Sequence, residues 1–161
     1  MKHRSSTIDT PGIRDLLSYR LHVVANLLSR GAELRYRREF GVSLWEWRTV
    51  ALLGGASGAQ SLNELARAAG IDKSQMSRVV SGLAARGLVL RAIDANDARG
   101  VRLTLTRAGR KLYDGLIRAA AGRNDAFLDC LGAKERVAFD EALAKLAARA
   151  REFIERERAA Q

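Results

Sequence analysis

The stretch from Ser61 to Gly109 constrains the chain most, because two short amphipathic helices and an alternating hairpin follow one another there with little linker. Its centre is Asp72-Lys-Ser-Gln-Met-Ser-Arg-Val-Val-Ser-Gly-Leu-Ala-Ala-Arg-Gly87. Asp72 is placed to accept the N–H groups of a helix starting at Lys73, and Gln75, three residues on, is placed to reach back, a capping-box spacing. Met76, Val79, Val80 and Leu83 then make one apolar stripe at helical spacing. Lys73, Ser74, Ser77, Arg78 and Ser81 lie on the opposite face, and Gly87 suits the left-handed position that ends a helix.

That polar face is short-chained, rich in hydroxyls and cationic, with no acid from Lys73 to Arg91. A helix that enters the major groove of duplex DNA needs such a face, with small side chains for close approach, donors for base edges and cations for phosphates. Taken alone, the helix fits a solvated surface equally well; its neighbours decide. Upstream, Ser61 and Glu64 make a second capping box, Leu62, Leu65, Ala66 and Ala69 an apolar face, and Gly70 a stop, so the pair matches a helix-turn-helix. Downstream, Leu88 to Ile93 and Val101 to Leu105 read as strands around the turn-forming loop Asp94 to Gly100. Val101, Leu103 and Leu105 alternate with Arg102 and Thr104, which predicts a face that is buried and a face, including Arg102, that is wet. Thr106 then caps a further helix. The predicted fold class is mainly α with a small β-hairpin wing, a winged helix-turn-helix flanked by long helices.

Glu46-Trp-Arg48, Glu64-Leu-Ala66, Lys73-Ser-Gln-Met-Ser-Arg78, Leu83-Ala-Ala-Arg-Gly-Leu88, the wing Asp94-x-x-Asp97-x-Arg99 and Leu105-Thr-x-x-Gly109, in that order and spacing, resemble the MarR family of bacterial transcription regulators. The likeness is close over residues 40 to 110 and one of helix length and placement outside them. In that family the helix equivalent to Lys73–Arg86 enters the major groove and the wing arginine reaches the minor groove. The resemblance therefore implies DNA contacts for Ser74, Gln75, Ser77, Arg78 and Arg99; Lys73 and Arg102 join them as cations on the same module.

Composition agrees. Of 161 residues, 28 are Lys or Arg and 18 Asp or Glu, a net charge of +10, which calls for a polyanionic partner. Residues 61–110 hold 9 bases against 4 acids, whereas residues 111–161 hold 10 against 9, so the surplus sits on the proposed DNA module rather than on the last third. The single cysteine, Cys130, excludes an intramolecular disulfide and fits a reducing cytoplasm. The longest uncharged run, Thr49 to Asn63, is too short and polar to cross a membrane, and no apolar block follows the charged first residues as in a secretory signal.

Along the chain, residues 1–9 read as a flexible start, 10–41 as an N-terminal dimerisation helix, 42–109 as the DNA-binding module and 110–161 as C-terminal dimerisation helices. Thr10-Pro11 predicts a helix start, with Leu17, Leu21, Val24 and Leu28 as a seam and Gly41 as the stop. Ser43 and Glu46 form a further capping box. The loop Gly54 to Gly58 lacks the Lys-Ser/Thr ending of a phosphate loop and reads as a connector. A long helix is expected from Thr106 to about Leu131, broken by Gly132. The last helix carries Phe139, Leu143, Leu146, Ala150 and Phe153 at heptad steps. A narrow exposed seam needs a partner. A homodimer would provide one, and would set two recognition helices about 34–36 Å apart on a pseudo-palindromic double-stranded DNA operator; the resemblance implies the same.

Cys130, between Phe127 and Leu131, is expected to be buried and inert. His3 and His22 lie far apart, so no metal site is expected, and no cofactor is called for. His22 is read as a helix-surface residue. In the resembling family effectors bind between the dimerisation helices and the DNA module, which makes Arg20, His22, Trp45, Trp47 and Arg48 effector candidates; Trp47 is assigned first to core packing and Trp45 to the pocket. Arginines and indoles together favour a flat anion, an aromatic carboxylate. No nucleophile–base or paired-carboxylate signature supports an enzyme. The expected function is a ligand-responsive homodimeric repressor; the alternatives are an activator of the same fold and a non-specific basic architectural protein.

Overall fold

Three helices begin at a serine or aspartate whose side chain takes a free N–H of the first turn, and three end at a glycine in the left-handed region. The computed structural model describes residues 12–94 and 97–160, with side chains throughout except at positions 94 and 97–99. The expected helix start at Thr10-Pro11 lies outside these residues, and the long helix does not run on from there: Gly12 and Leu16 are extended, and it begins only at Leu17. The chain falls into two units, one running to Ile117 and the other from Arg118.

In the first unit, a 3-10 turn at Ile13–Asp15 leads into α1 (Leu17–Phe40). It is followed by α2 (Leu44–Gly55), β1 (Gln60–Ser61), α3 (Leu62–Ala69), α4 (Lys73–Ala85), β2 (Val89–Asp94), β3 (Asp97–Leu105) and the first part of α5 (Arg107–Leu128). Both halves of the capping boxes form at Ser43/Glu46 and Ser61/Glu64. At α4 only one half forms: Asp72 Oδ1 accepts the Gln75 N–H at 2.8 Å, and no return bond from the Gln75 side chain is made. Gly70 and Gly87 have φ of +69° and +68°. At these two stops the next residue's N–H folds back, Ile71 to the Ala66 carbonyl and Leu88 to that of Leu83, closing the last turn as a side chain with a Cβ would resist.

The sheet has the order β1-β3-β2, all antiparallel. The hairpin is longer than its hydropathy predicts, because β3 begins at Asp97 inside the expected loop and a bulge at Ile93/Asp94 absorbs the register shift. Only part of the expected buried face is covered: Leu103 is buried, but Val101, paired with Ile93 farther along the wing, is exposed, since the body of the module does not reach that far.

The core draws on the helices and the hairpin of this unit, with Leu116 contributed by the first part of α5. Ala32 and Tyr36 come from α1, Trp47, Thr49, Val50 and Leu53 from α2, Leu65 and Ala66 from α3, Met76, Val80 and Leu83 from α4, and Val89 and Leu103 from the hairpin. Tyr36 and Trp47 pack with ring centroids 5.3 Å apart. The buried Thr49 hydroxyl is satisfied by the Trp45 carbonyl at 2.8 Å. Each of the fully buried aliphatic side chains contributes about 1.5–3 kcal/mol of transfer free energy. Thr106 caps α5, accepting the Gly109 N–H at 3.0 Å and donating to the Gly87 carbonyl at 2.7 Å, so the end of α4 and the start of α5 share one hydroxyl.

The second unit holds the remainder of α5 and α6 (Ala133–Ala159). α5 ends at Leu128 rather than near Leu131, and Gly132 caps α6, its N–H bonded to Glu135. Among its described residues none is buried. Cys130, expected to be buried, is exposed, with its thiol 3.1 Å from the Phe127 carbonyl: α5 has already ended there, and nothing in the unit covers the turn.

Candidate nucleic-acid interface

α4 is seated by its apolar stripe, with Met76, Val80 and Leu83 fully buried, and this fixes which face is left outside. Lys73, Ser74, Arg78 and Ser81 are exposed, and Gln75 and Ser77 half-buried. The helix is held at its far end as well. Arg86 Nη1 donates to Glu46 Oε1 at 2.9 Å, while Glu46 Oε2 accepts the Ser43 N–H at 2.7 Å, so one carboxylate caps α2 and ties it to the end of α4. Glu33 on α1 takes the next free N–H of α2, that of Leu44, at 3.1 Å.

Two arginines join the wing to this body. Arg91 on β2 donates from Nη2 to Ser81 Oγ at 2.9 Å. Arg102 on β3 donates from Nη1 to Glu64 Oε2 at 3.3 Å and to the Ala59 carbonyl at 3.4 Å, an internal attachment that alternation of the strand did not foretell. The Ser61 N–H and hydroxyl, with Arg102 adding its charge, hold the Glu64 carboxyl below the usual carboxylate range. The side chain of Arg99 lies outside the described residues.

The candidate effector residues separate into two groups. Trp47 and Arg48 line a cavity of about 490 Å³ with Ala51, Leu52, Ala68 and Ala69, between α2 and α3. Trp47 is also core, as expected. Trp45 is half-buried and does not line the cavity; it carries the Arg48 guanidinium 4.8 Å above its ring, while Arg48 Nη2 donates to Ser29 Oγ on α1 at 3.2 Å. Arg20 and His22 are exposed on α1 and outside this cavity, with His22 Nε2 2.8 Å from the Asn26 amide nitrogen. Among the described residues no group of three or more His, Cys, Asp or Glu is placed to hold a metal, and no helix is long and apolar enough to cross a membrane.

Residues 40–100 match the model of the MarR family. The chain is 33% identical over 102 residues to the HTH-type transcriptional regulator FarR of Neisseria gonorrhoeae, covering 63% of this chain and 69% of that protein. It is 35% identical over 89 residues to the HTH-type transcriptional repressor NicR of Pseudomonas putida, covering 55% and 56%. A crystal structure of a MarR/EmrR family transcriptional regulator from Acinetobacter sp. ADP1 superposes with a TM-score of 0.76 at 25% identity, over 84% of this chain and 94% of that one. With a helix-turn-helix and wing built from the residues above, and these likenesses, the chain belongs to the MarR family of DNA-binding transcription regulators and is not an enzyme.

Proposed function

We propose that the protein is a homodimeric repressor that binds a pseudo-palindromic operator and is released from it by a small aromatic acid. The observation that carries the DNA reading is the outer face of α4, exposed, free of acids and seated by a fully buried apolar stripe. On that reading Lys73, Ser74, Gln75, Ser77 and Arg78 meet the major groove and Arg99 the minor groove, where a narrow A·T-rich tract attracts arginine. The assignment as a repressor is supported by the likeness to NicR.

Dimerisation is supported by the terminal helices. Leu17, Leu21, Val24 and Leu28 on α1, and Phe139, Leu143, Leu146 and Phe153 on α6, are all exposed in the single chain. α1 carries a second exposed stripe, Val23, Leu27 and Leu34, about a third of a turn away. A helix with apolar stripes on two sides is enclosed by more than one neighbour, as in an intertwined pair of chains. A release ligand is supported by the cavity beside Trp47 and Arg48, which offers an aromatic wall and a cation. By linkage, a ligand that weakens DNA binding is bound better by the DNA-free form by the same factor.

Selection of bound sequences from random duplex DNA tests the core of this reading. One inverted repeat should be enriched, and a footprint over random DNA with no preferred site would instead identify an architectural protein. A screen of aromatic acids against the recovered repeat should find one that releases DNA and changes tryptophan emission over the same concentration range. A ligand that releases DNA without changing emission would place the pocket elsewhere.

A further inference from the structure

We propose that Arg91 is a phosphate contact of the DNA-bound protein, held ready by Ser81 at the joint between α4 and the wing; this rests on the reading of α4 as the groove-entering helix. Ser81 lies near the middle of the polar face of α4: at 100° per residue it falls between Ser77 and Ser74, next to Arg78. Arg91 leaves β2 two residues after the buried Val89, on the sheet face shared with Leu103, and its Nη2 reaches Ser81 Oγ at 2.9 Å. A wing arginine is thereby laid across the face proposed to meet DNA.

Among the described residues its charge is not spent on the protein. Arg86 is paired with Glu46 and Arg102 with Glu64, but among the described residues Arg91 has no acidic partner. The two kinds of arginine are thus sorted by what they touch, a carboxylate that neutralises them or a hydroxyl that only positions them. Because Ser81 Oγ accepts from Arg91, its own hydroxyl proton is free to donate elsewhere. A planar cation and a neutral O–H side by side suit the non-bridging oxygens of one phosphate. A guanine edge would also take a guanidinium, but base edges are met chiefly by the N-terminal residues of such a helix, and Ser81 stands in its C-terminal half.

The test uses the full chain and two mixed-sequence DNA duplexes unrelated to one another, because a phosphate contact is blind to sequence. Binding is followed by fluorescence anisotropy over a range of salt. Arg91→Ala should weaken binding to both duplexes by about tenfold at low salt and lower the slope of log K against log salt by about one, while Arg91→Lys keeps most of the slope. Arg91→Gln, which retains a donor for Ser81, should repeat the loss and guards against a folding defect in the alanine variant. An unchanged slope in both neutral variants, or a loss confined to one duplex, overturns the phosphate contact. Lys73→Ala and Arg78→Ala are measured alongside. If these fall and the Arg91 variants do not, the Arg91 contact alone fails. If they too bind as the parent does, or the parent binds neither duplex, the reading of α4 fails with it.

Discussion

The packed body around α2, α3, α4 and the hairpin, and the last helix α6, spend the same kind of residue in opposite ways. In the first, apolar side chains from α1, α2, α3, α4 and the hairpin close on one another, and several are completely sealed from water. In the second, Phe139, Leu143, Leu146 and Phe153 keep heptad order along α6, yet each remains more than a third exposed, at 45%, 38%, 37% and 52%. A module that must present a fixed helix to DNA needs its own finished core. In the proposed dimer, the seam left unfinished in one chain is completed by the other.

The strongest way to break that contrast is to charge the open seam. Phe139→Asp with Leu146→Asp should convert a dimer to monomers in sedimentation, with the helical signal of the first unit kept; a double variant that stays dimeric would place the interface off α6. Next is a change inside the closed unit. A Cβ at Gly109 would run into the Leu88 carbonyl oxygen, a backbone atom that cannot swing aside, so Gly109→Ala should cost about 3 kcal/mol or more in chemical denaturation. A loss under about 1 kcal/mol would show that the junction of α5 with the hairpin yields more easily than its packing indicates. The smallest effect sharpens the picture at one cap. Ser61→Ala should cost about 1 kcal/mol. Because the folded Glu64 carboxyl titrates below its unfolded value, its contribution is present above the ordinary carboxylate range and fades as pH falls through the depressed value. Ser61→Ala keeps the backbone N–H that lowers the Glu64 carboxyl most and removes only the hydroxyl, so it should flatten the acid limb of the stability curve in part, and an acid limb parallel to that of the parent would remove the Ser61 hydroxyl as a cause.

What could be read from sequence was local. Ser43/Glu46 and Ser61/Glu64 advertise their helices within four residues, and Gly70 and Gly87 mark stops through a backbone requirement that few other residues meet. What escaped was paired across distance. Two-residue β1 has no hydropathy pattern of its own and exists because Gln60 and Ser61 meet Leu103 and Arg102. Glu46 was legible as a cap, but its bond to Arg86, forty residues on, was not. Arg102 read as a wet-face cation until Glu64 stood beside it, and Arg91 drew no notice until Ser81 did. Cys130 is exposed although Phe127 lies beside it, because Phe127 is itself exposed and apolar neighbours in sequence do not make a core.

The little strand β1 has a consequence for how the chain survives its own synthesis. A bare hairpin offers two rows of unpaired amides and carbonyls to any other sheet it meets, a standing invitation to aggregate. Here β3 lies between β2 and β1, so at Arg102 and Leu103, where the wing joins the body, neither side of β3 is open. Gln60 and Ser61 precede β3 by some forty residues, and on the ribosome they emerge first. By the time the last strand of the wing appears, the segment that covers its root is already attached to the same chain, at a local concentration no stranger can match.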